Sequence, residues 1–311
     1  MIPFVSRSGS FEQDVWIKTL SDVMPGEDIV PFATLTQEQK QQCDVAIVAN
    51  PNPQDLLALP SLKWVHSLWA GVERMMNELS SPPFSIVRLV DPDLASTMSE
   101  AVLSWTLFLH RDMPVYAQQQ AQQIWSQRPM VRAQDRRIGI LGLGALGRVS
   151  AQRLANNGFC VAGWSRNAKE IQGIECFHGE DGLTSLLMQS DILVCLLPLT
   201  KETTGLLNAQ ALSLLPVGAS LINFARGAVI DEDALLEKLE QEHISHAVLD
   251  VFTQEPLPIH HAFWKHESIT VLPHISAPTH PISASKIVAE NIKIFRLTGT
   301  IPPSVDPIRG Y

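Results

Sequence analysis

The stretch that decides the fold reads Arg137-Ile138-Gly139-Ile140-Leu141-Gly142-Leu143-Gly144-Ala145-Leu146-Gly147. Its first five residues, which are apolar after Arg137, are typical of a buried strand, and a helical pattern follows the glycines. Gly142 permits a tight turn, Gly144 leaves the backbone open to a ligand, and Gly147 lets the helix pack on the strand. We therefore predict a strand–loop–helix unit that holds the pyrophosphate of a dinucleotide at the helix N-terminus, with Ala145 and Leu146 among the contacts.

Strands and helices alternate after this stretch with short connections. Apolar runs predict the strands, amphipathic runs predict the helices, and such units form a parallel sheet. The predicted strands are Arg137–Gly142, Val161–Trp164, Ile192–Leu197, Ala219–Phe224, His246–Val251 and Ile269–Leu272, and the predicted helices are Leu146–Asn157, Gly182–Gln189, Asn208–Leu214 and Glu232–Glu242.

The flanking parts of the chain have the same character. Apolar runs before the glycine loop predict strands at Asp44–Ala49, Leu62–Leu68 and Phe84–Leu89. A helix that is apolar on most sides is predicted over Thr97–Tyr116, with Ser96 or Thr97 as its cap. A polar arm, Gln118–Gln134, follows, and a last helix is predicted at Ile282–Leu297.

The end of the second strand after the glycine loop indicates which dinucleotide binds. In NAD-binding proteins an acidic residue about 20 positions on hydrogen-bonds the ribose 2′-hydroxyl. This chain instead reads Trp164-Ser165-Arg166-Asn167 there. A carboxylate would repel a 2′-phosphate, whereas a hydroxyl and a guanidinium bind it through charge-assisted hydrogen bonds. We expect a preference for NADPH through Ser165 and Arg166, with NADH as an alternative that an exposed turn would also tolerate.

The composition excludes several classes of protein. The 311 residues carry a formal net charge of −9, which argues against nucleic acid as a partner. No apolar run approaches the ~20 residues of a membrane span, and the first residues lack the pattern of an export signal. The four cysteines lie far apart, so buried free thiols and no metal site are expected. We expect a soluble, cytoplasmic protein with no membrane partner.

Four further motifs follow the glycine loop in order: Asn223-Phe224-Ala225-Arg226-Gly227-Ala228-Val229-Ile230-Asp231, Leu249-Asp250-Val251-Phe252, Glu255-Pro256-Leu257-Pro258 and Pro273-His274-Ile275. In this order and spacing they resemble the D-isomer-specific 2-hydroxyacid dehydrogenase family over essentially the whole chain. Within that family the chain is most similar to the reductases of glyoxylate and hydroxypyruvate. The closing residues Val305-Asp306 and Arg309-Gly310-Tyr311 also match them.

The resemblance implies an α/β protein in two domains. A Rossmann-type, doubly wound parallel-sheet domain (residues 98–277) that binds the dinucleotide is inserted into a smaller, flavodoxin-like α/β substrate domain (residues 1–97 and 278–311). It also implies a homodimer.

The chemistry of a 2-keto acid supplies an independent reason for three residue types. Its reduction needs a cation to hold and polarise the substrate and an acid to protonate the developing alkoxide. Arg226 and His274 both follow predicted strands, at the sheet edge where open α/β sheets bind ligands. His274 is the candidate general acid, and a hydrogen bond donated by its ring to the Glu255 carboxylate would raise its pKa. By resemblance, Arg226 clamps the substrate and Glu255 partners the histidine. The other nine histidines, His260 and His261 among them, are expected to face solvent.

The resemblance adds further contacts. It implies that Asp250 contacts the nicotinamide carboxamide, although an aspartate that only caps a turn remains an alternative. Cofactor contacts are also implied for Leu197, Pro198 and Ala225. Backbone N–H groups of Ala70 and Gly71 would hold the substrate carboxylate.

Two tryptophans stay ambiguous. Trp69, where relatives carry a small residue, either narrows the pocket or turns into the core. Trp125 either reaches a partner subunit's pocket or anchors packing within its own chain.

The function implied is NADPH-dependent reduction of glyoxylate and hydroxypyruvate to glycolate and D-glycerate. Two alternatives remain open. One is an NAD-dependent dehydrogenase of the D-lactate or D-3-phosphoglycerate type. The other is a dinucleotide-sensing protein similar to the C-terminal-binding corepressors, which keep the same arginine, glutamate and histidine.

Overall fold

The computed structural model describes residues 1–7, 11–79 and 82–306, so the closing motif Arg309–Tyr311 lies outside the described residues. The strands are β1 (Ile2–Ser6), β2 (Ile29–Pro31), β3 (Val45–Ala49), β4 (Trp64–Ser67), β5 (Ser85–Val87), β6 (Arg137–Leu141), β7 (Cys160–Ser165), β8 (Glu175–His178), β9 (Ile192–Cys195), β10 (Ala219–Asn223), β11 (Ile244–Leu249) and β12 (Ile269–Val271). The helices are α1 (Phe11–Val23), α2 (Gln37–Lys40), α3 (Pro53–Leu57), α4 (Glu73–Leu79), α5 (Pro92–His110), α6 (Met113–Ala121), α7 (Ala145–Asn156), α8 (Gly179–Gln189), α9 (Ala209–Ser213), α10 (Glu232–Glu240) and α11 (Pro281–Thr298).

The first compact unit comprises Met1–Asp93 and Thr279–Tyr311. Its parallel sheet has the order β2-β1-β3-β4-β5, which is the flavodoxin-like order. The core on one face is built by apolar side chains of the sheet, α1 and α11, including the fully buried Trp64. Strands β1 and β2 were not predicted, because β1 contains Pro3, which usually argues against a strand interior, and β2 is only three residues long.

The second compact unit, Leu94–Pro278, contains the glycine loop. Its seven strands are all parallel, in the order β12-β11-β10-β9-β6-β7-β8. The order reverses at β6, so the crevice beside β6 is the topological switch point of a doubly wound sheet. The six predicted strands are present, and the fold class is confirmed. The additional strand β8 lies at the sheet edge and is too polar to be recognised from an apolar run.

The helix predicted over Thr97–Tyr116 is wrong at both ends. It begins earlier, at Pro92, because a carboxylate oxygen of Asp91 accepts a hydrogen bond from the Asp93 N–H at 2.8 Å. It ends at His110, and Asp112 then adopts a left-handed φ of 53° before α6 begins. Pro114 explains the break, since proline has no N–H and its ring clashes with the carbonyl four residues back. The first part of the predicted arm is therefore helical, up to Ala121.

The expectation that nine histidines face solvent is also wrong, because His66, His110 and His246 are buried. His66 lies inside β4, where its Nδ1 is 2.9 Å from the Ser67 carbonyl oxygen and its Nε2 is 2.9 Å from the Asn291 amide. Burial lowers the pKa of His66 to about 4, and it lowers the pKa of His246, inside β11, to about 4 as well. Both imidazoles are structural and neutral at neutral pH.

The cysteines match the expectation only in part. All four are free, and Cys43 and Cys195 are buried, but Cys160 is exposed and Cys176 is half-buried. None of the described helices is long and apolar enough to cross a membrane.

Stability should fall as the medium is acidified below pH 6.5. The pKa of both His66 and His246 drops from an ordinary 6.5 to about 4 on folding, so the unfolded chain takes up protons first. Each buried histidine contributes about 3 kcal/mol that is present above pH 6.5 and lost as the pH falls through 4. Urea unfolding between pH 7 and pH 4 measures the slope.

A matched pair of variants separates this effect from general acid lability. His246→Gln should make the free energy of unfolding less dependent on pH, whereas His178→Gln, at an exposed position, should leave the slope unchanged. Equal slopes for the two variants would contradict the assignment.

Candidate active site

The glycine loop between β6 and α7 is shaped by two close backbone approaches. Gly142 has a φ of 102°, and a Cβ there would lie 2.8 Å from the Leu196 carbonyl oxygen. A Cβ on Gly147 would overlap the carbonyl oxygen of Gly142. Gly144, the N-cap of α7, faces open space instead, and no side chain caps the helix. Ala145 and the residues after it thus present the N–H groups of the first helical turn beside the open space at Gly144, an arrangement that favours anions.

The sheet order arranges the predicted site residues along one edge. All strands of the second unit are parallel, so their carboxyl ends share that edge. From one side to the other, β7 is followed by β6, β9, β10, β11 and β12. The predicted residues at or after these strand ends are, in the same spatial order, Ser165 and Arg166, the glycine loop with Leu146, Leu197 and Pro198, Ala225 and Arg226, Asp250 and Glu255, and His274.

The end of β7 carries no carboxylate, as the sequence indicates. The buried Ser165 hydroxyl donates to the Asn167 carbonyl oxygen at 2.9 Å, so its proton is already engaged. The Arg166 guanidinium lies 3.4 Å from the Glu202 carboxylate, and both side chains are substantially exposed. Such a pair is weak. Arg166 therefore keeps a partly exposed positive charge at the end of β7.

Lys169 is a further cation at this strand end that the sequence interpretation did not assign. Its Nζ donates to the Leu143 carbonyl oxygen at 2.6 Å, which places an ammonium group against the glycine loop. The sequence could have indicated this residue, because Lys169 follows Ser165 by only four positions and so lies close to the same strand end.

Arg226 is held by a short network at the end of β10. The buried Asn223 accepts from the Ala225 N–H and donates to the Arg226 carbonyl oxygen, each at 3.1 Å. Ala225 is buried beneath this turn. Gly227 then packs so closely on the Phe252 backbone that a Cβ would overlap it. The segments after β10 and after β11 are therefore in direct backbone contact.

His274 and Glu255 form the predicted pair. Nδ1 of His274 lies 2.7 Å from Oε2 of Glu255, and Oε1 of Glu255 accepts from the Phe252 N–H at 3.0 Å. The hydrogen bond that His274 donates to the Glu255 carboxylate raises the pKa of His274 above its ordinary value, despite opposing burial and the positive charge of Arg226. Burial alone would raise the pKa of Glu255, but the bonds from His274 and Phe252 outweigh it and the pKa is lowered. The arrangement favours an imidazolium facing a carboxylate.

Asp250 holds the backbone that follows the histidine. Its two carboxylate oxygens accept from the N–H groups of Ile275 and Ser276, at 2.7 and 2.9 Å, and its side chain is buried. The backbone of His274 has a left-handed φ of 54°, a conformation that residues other than glycine rarely adopt. Asp250 therefore fixes an unfavourable backbone turn at the candidate acid. This is the turn aspartate that the sequence left as an alternative; its contact with a cofactor stays a proposal.

The remaining candidates lie elsewhere in the chain. In the first unit, Ala70 and Gly71 are half-buried in the connection between β4 and α4. Trp69 turns into the core, where its ring meets Trp16 edge-on at 5.9 Å. In the second unit, Trp125 is 97% exposed, so it anchors no packing within the described chain.

The described residues contain no group of three or more side chains that would hold a metal ion.

Comparison with known proteins decides the family. Residues 103–276 match the model of the D-isomer specific 2-hydroxyacid dehydrogenase, NAD binding domain. The chain belongs to this family. It is therefore an NAD(P)-dependent oxidoreductase.

Relatives cover the chain from end to end. A glyoxylate/hydroxypyruvate reductase A from Serratia proteamaculans is 37% identical over 97% of both chains. A family member from Xanthobacter autotrophicus Py2, solved in complex with NADPH and MES, is 36% identical with a TM-score of 0.92 and covers 100% of this chain and 99% of its own. An NADPH-dependent glyoxylate/hydroxypyruvate reductase from Sinorhizobium meliloti, in complex with NADP and sulfate, is 30% identical with a TM-score of 0.90 and covers all of both chains.

The open space at Gly144 makes a specific prediction. Gly144→Ala should fold with an unchanged urea midpoint, because no atom lies within 4 Å of the new Cβ. The methyl group should nevertheless weaken NADPH binding at least about 5-fold in Kd, since it occupies the space a phosphate needs. Calorimetric titration with NADPH measures the effect. Gly147→Ala is the contrasting variant and should lose stability through overlap with Gly142. Unimpaired NADPH binding by Gly144→Ala would contradict the assigned role of the loop.

Proposed function

We propose that the protein uses NADPH to reduce small 2-keto acids, glyoxylate and hydroxypyruvate, to glycolate and D-glycerate. The observation that carries the proposal is the His274–Glu255 pair at 2.7 Å beside Arg226, at the strand edge that also bears the glycine loop. An imidazolium and a guanidinium there provide one proton donor and one cation for an anionic carbonyl substrate. The similarity to a glyoxylate/hydroxypyruvate reductase A over 97% of the chain supports the choice of substrate.

The chain's own residues would perform every step except hydride donation, which the nicotinamide supplies when bound. Arg226 would bind the substrate carboxylate and draw electron density towards the carbonyl oxygen. His274 would donate its proton to that oxygen as negative charge develops on it. Nδ1 of His274 faces Glu255, so Nε2 is the atom that donates. Glu255 would stabilise the imidazolium before the transfer and orient the ring during it.

The preference for NADPH rests on the end of β7. Arg166 provides a positive charge there and Lys169 a second one close by, whereas an acidic residue that would repel a 2′-phosphate is missing from this turn. The relatives from X. autotrophicus and S. meliloti were solved with NADPH and NADP. Gly142, Gly144, Ala145, Leu146 and Gly147 would hold the pyrophosphate, as the open, uncapped start of α7 supports. Leu197, Pro198, Ala225 and Asp250 would flank the rest of the cofactor.

We further propose the following division of labour. Residues 98–277 bind the dinucleotide, which the family match over residues 103–276 supports. Residues 1–97 and 278–311 bind the substrate, with the backbone of Ala70 and Gly71 taking its carboxylate.

We also propose that the protein is cytoplasmic and that two copies form a homodimer. In the arm of residues 118–134, Trp125 and, nearby in sequence, Met130 are exposed, Met130 to 80%. Large exposed apolar side chains favour a protein contact, which supports a second copy covering the arm.

A turnover assay tests the reaction. The protein should oxidise NADPH steadily when glyoxylate or hydroxypyruvate is added, and His274→Ala should lower kcat at least about 100-fold, because general acid catalysis contributes about 10²–10⁴-fold. NADPH affinity of the variant should stay close to that of the parent. A protein that binds NADPH but reduces no keto acid would overturn the proposal and favour the dinucleotide-sensing alternative.

The choice of cofactor is tested at Arg166. Arg166→Ala should reduce kcat/KM for NADPH about 10-fold or more while changing kcat/KM for NADH little, because only NADPH carries the 2′-phosphate. Arg148→Ala, at an exposed position on α7, is a matched removal of one positive charge and should preserve the ratio. If Arg166→Ala left the ratio of the two efficiencies unchanged, the assignment would fail.

A further inference from the structure

A second glutamate–histidine pair, Glu232 and His261, contacts the segment that carries Glu255. Glu232 is the first residue of α10, but Asp231 already caps that helix by accepting from the Ala234 N–H at 3.1 Å. The Glu232 carboxylate is therefore available for other contacts. Its Oε1 accepts from the Thr253 N–H at 3.3 Å, and its Oε2 lies 3.3 Å from Nε2 of His261. Glu232 thus bridges α10 and the segment after β11.

His261 fixes the orientation of this carboxylate. Nδ1 of His261 accepts from the Phe263 N–H at 3.3 Å, so the ring proton lies on Nε2 and points at Glu232. The ring also packs edge-on against Phe263, with centroids 4.5 Å apart. The two side chains are only 23% and 27% exposed, so His261 does not face solvent as predicted. With one oxygen directed to His261, the other oxygen of Glu232 is directed to Thr253.

The bonded N–H groups belong to consecutive residues just before Glu255. The Phe252 N–H donates to Glu255, and the Thr253 N–H donates to Glu232. Gly227 packs against the backbone of the same two residues from a further side. The peptide that orients Glu255 is therefore held by a carboxylate, by a close backbone contact and by Glu255 itself. Loss of one of these restraints would let this segment shift, and with it the Glu255 carboxylate that lies 2.7 Å from His274.

We propose that Glu232 is a positioning residue for the reaction: by holding Thr253 in place, it keeps Glu255 in hydrogen-bonding position to His274. The inference rests on the proposed function for its kinetic consequence, but not for its structural one. The charged groups that face His274 directly are Glu255, Asp250 and Arg226, and Glu232 acts on it only through the Thr253 backbone.

Two substitutions of Glu232 separate the effect of its side-chain length from the effect of its negative charge. Glu232→Asp keeps the negative charge at the start of α10 but shortens the side chain, so its oxygen no longer reaches Thr253. Glu232→Gln removes the charge but keeps the length and one acceptor oxygen for the Thr253 N–H. Its –NH2 group then faces Nε2 of His261, so the ring proton has to move to Nδ1, which costs only the long 3.3 Å bond from the Phe263 N–H. Positioning predicts that Asp disturbs the site and that Gln largely preserves it. Glu237→Ala, which removes an exposed carboxylate of the same helix, is the control and should have no effect.

The first measurement needs no substrate. The titration of His274 is followed by NMR in histidine-labelled protein, with His274→Ala used to assign its signal and Glu255→Gln as the reference for a broken pair. The pKa of His274 should fall in Glu232→Asp towards that of Glu255→Gln and stay close to the parent in Glu232→Gln. An unchanged titration in Glu232→Asp would overturn the proposal. A fall in Glu232→Gln without one in Glu232→Asp would overturn it too, because it would indicate a direct effect of charge.

The second measurement uses turnover with glyoxylate and NADPH. Reduction requires protonated His274, so the rate falls on the basic side of the pH profile, and this limb should move to lower pH in Glu232→Asp. We expect kcat of Glu232→Asp to fall about 10-fold or more, as for the outer hydrogen-bonding partners of metal ligands, and kcat of Glu232→Gln to stay closer to that of the parent. If no keto acid is reduced by the parent protein, the proposed function fails, while the NMR titration still decides the role of Glu232.

Discussion

All strands of the second unit run in the same direction, and the arrangement of the site depends on this constraint. Parallel strands bring their carboxyl ends to one edge, where the chain leaves the sheet and side chains are free of ladder hydrogen bonds. Residues more than 100 positions apart in sequence, such as Ser165 and His274, are thereby ordered along a single line. The reversal of strand order at β6 opens the crevice into which the glycine loop faces. Fold and site are consequences of the same topology.

Along that edge the backbone does much of the positioning. Asn223, Asp250 and Glu255 direct carbonyl or carboxylate oxygens at main-chain N–H groups, and each bond fixes a turn next to a candidate functional residue. Gly227 contributes by having no side chain, which lets two strand-end segments touch. Such contacts restrain loops that would otherwise sample many conformations. A rigid frame of this kind holds an imidazolium and a guanidinium close together despite their mutual repulsion.

The sequence predicted the parts of the molecule in which a local pattern has one physical solution. The glycine spacing of residues 142–147 admits few conformations, and an apolar run of five or six residues in this context is a buried strand. Contacts between segments that are distant in sequence could not be predicted from such local patterns. The hydrogen bond from Thr253 to Glu232 spans 21 positions, and its donor is a backbone N–H. Every residue except proline has such a group, so the sequence does not show which one will donate. His66 and His246 were misjudged because polarity alone suggested solvent, although both belong to strands that the sequence predicted and that are buried in the sheet. The start of α5 was missed although Asp91 and Pro92 are a recognised cap and first turn.

The ion pair between Arg166 and Glu202 has a consequence for how an anion would enter the site. Arg166 already faces a carboxylate at 3.4 Å, so an incoming phosphate exchanges one anion for another rather than meeting a bare cation. The gain in free energy is the difference between two electrostatic contacts. Dissolved salt weakens both of them. Affinity at this position should therefore vary less with ionic strength than the charge of a phosphate alone would suggest.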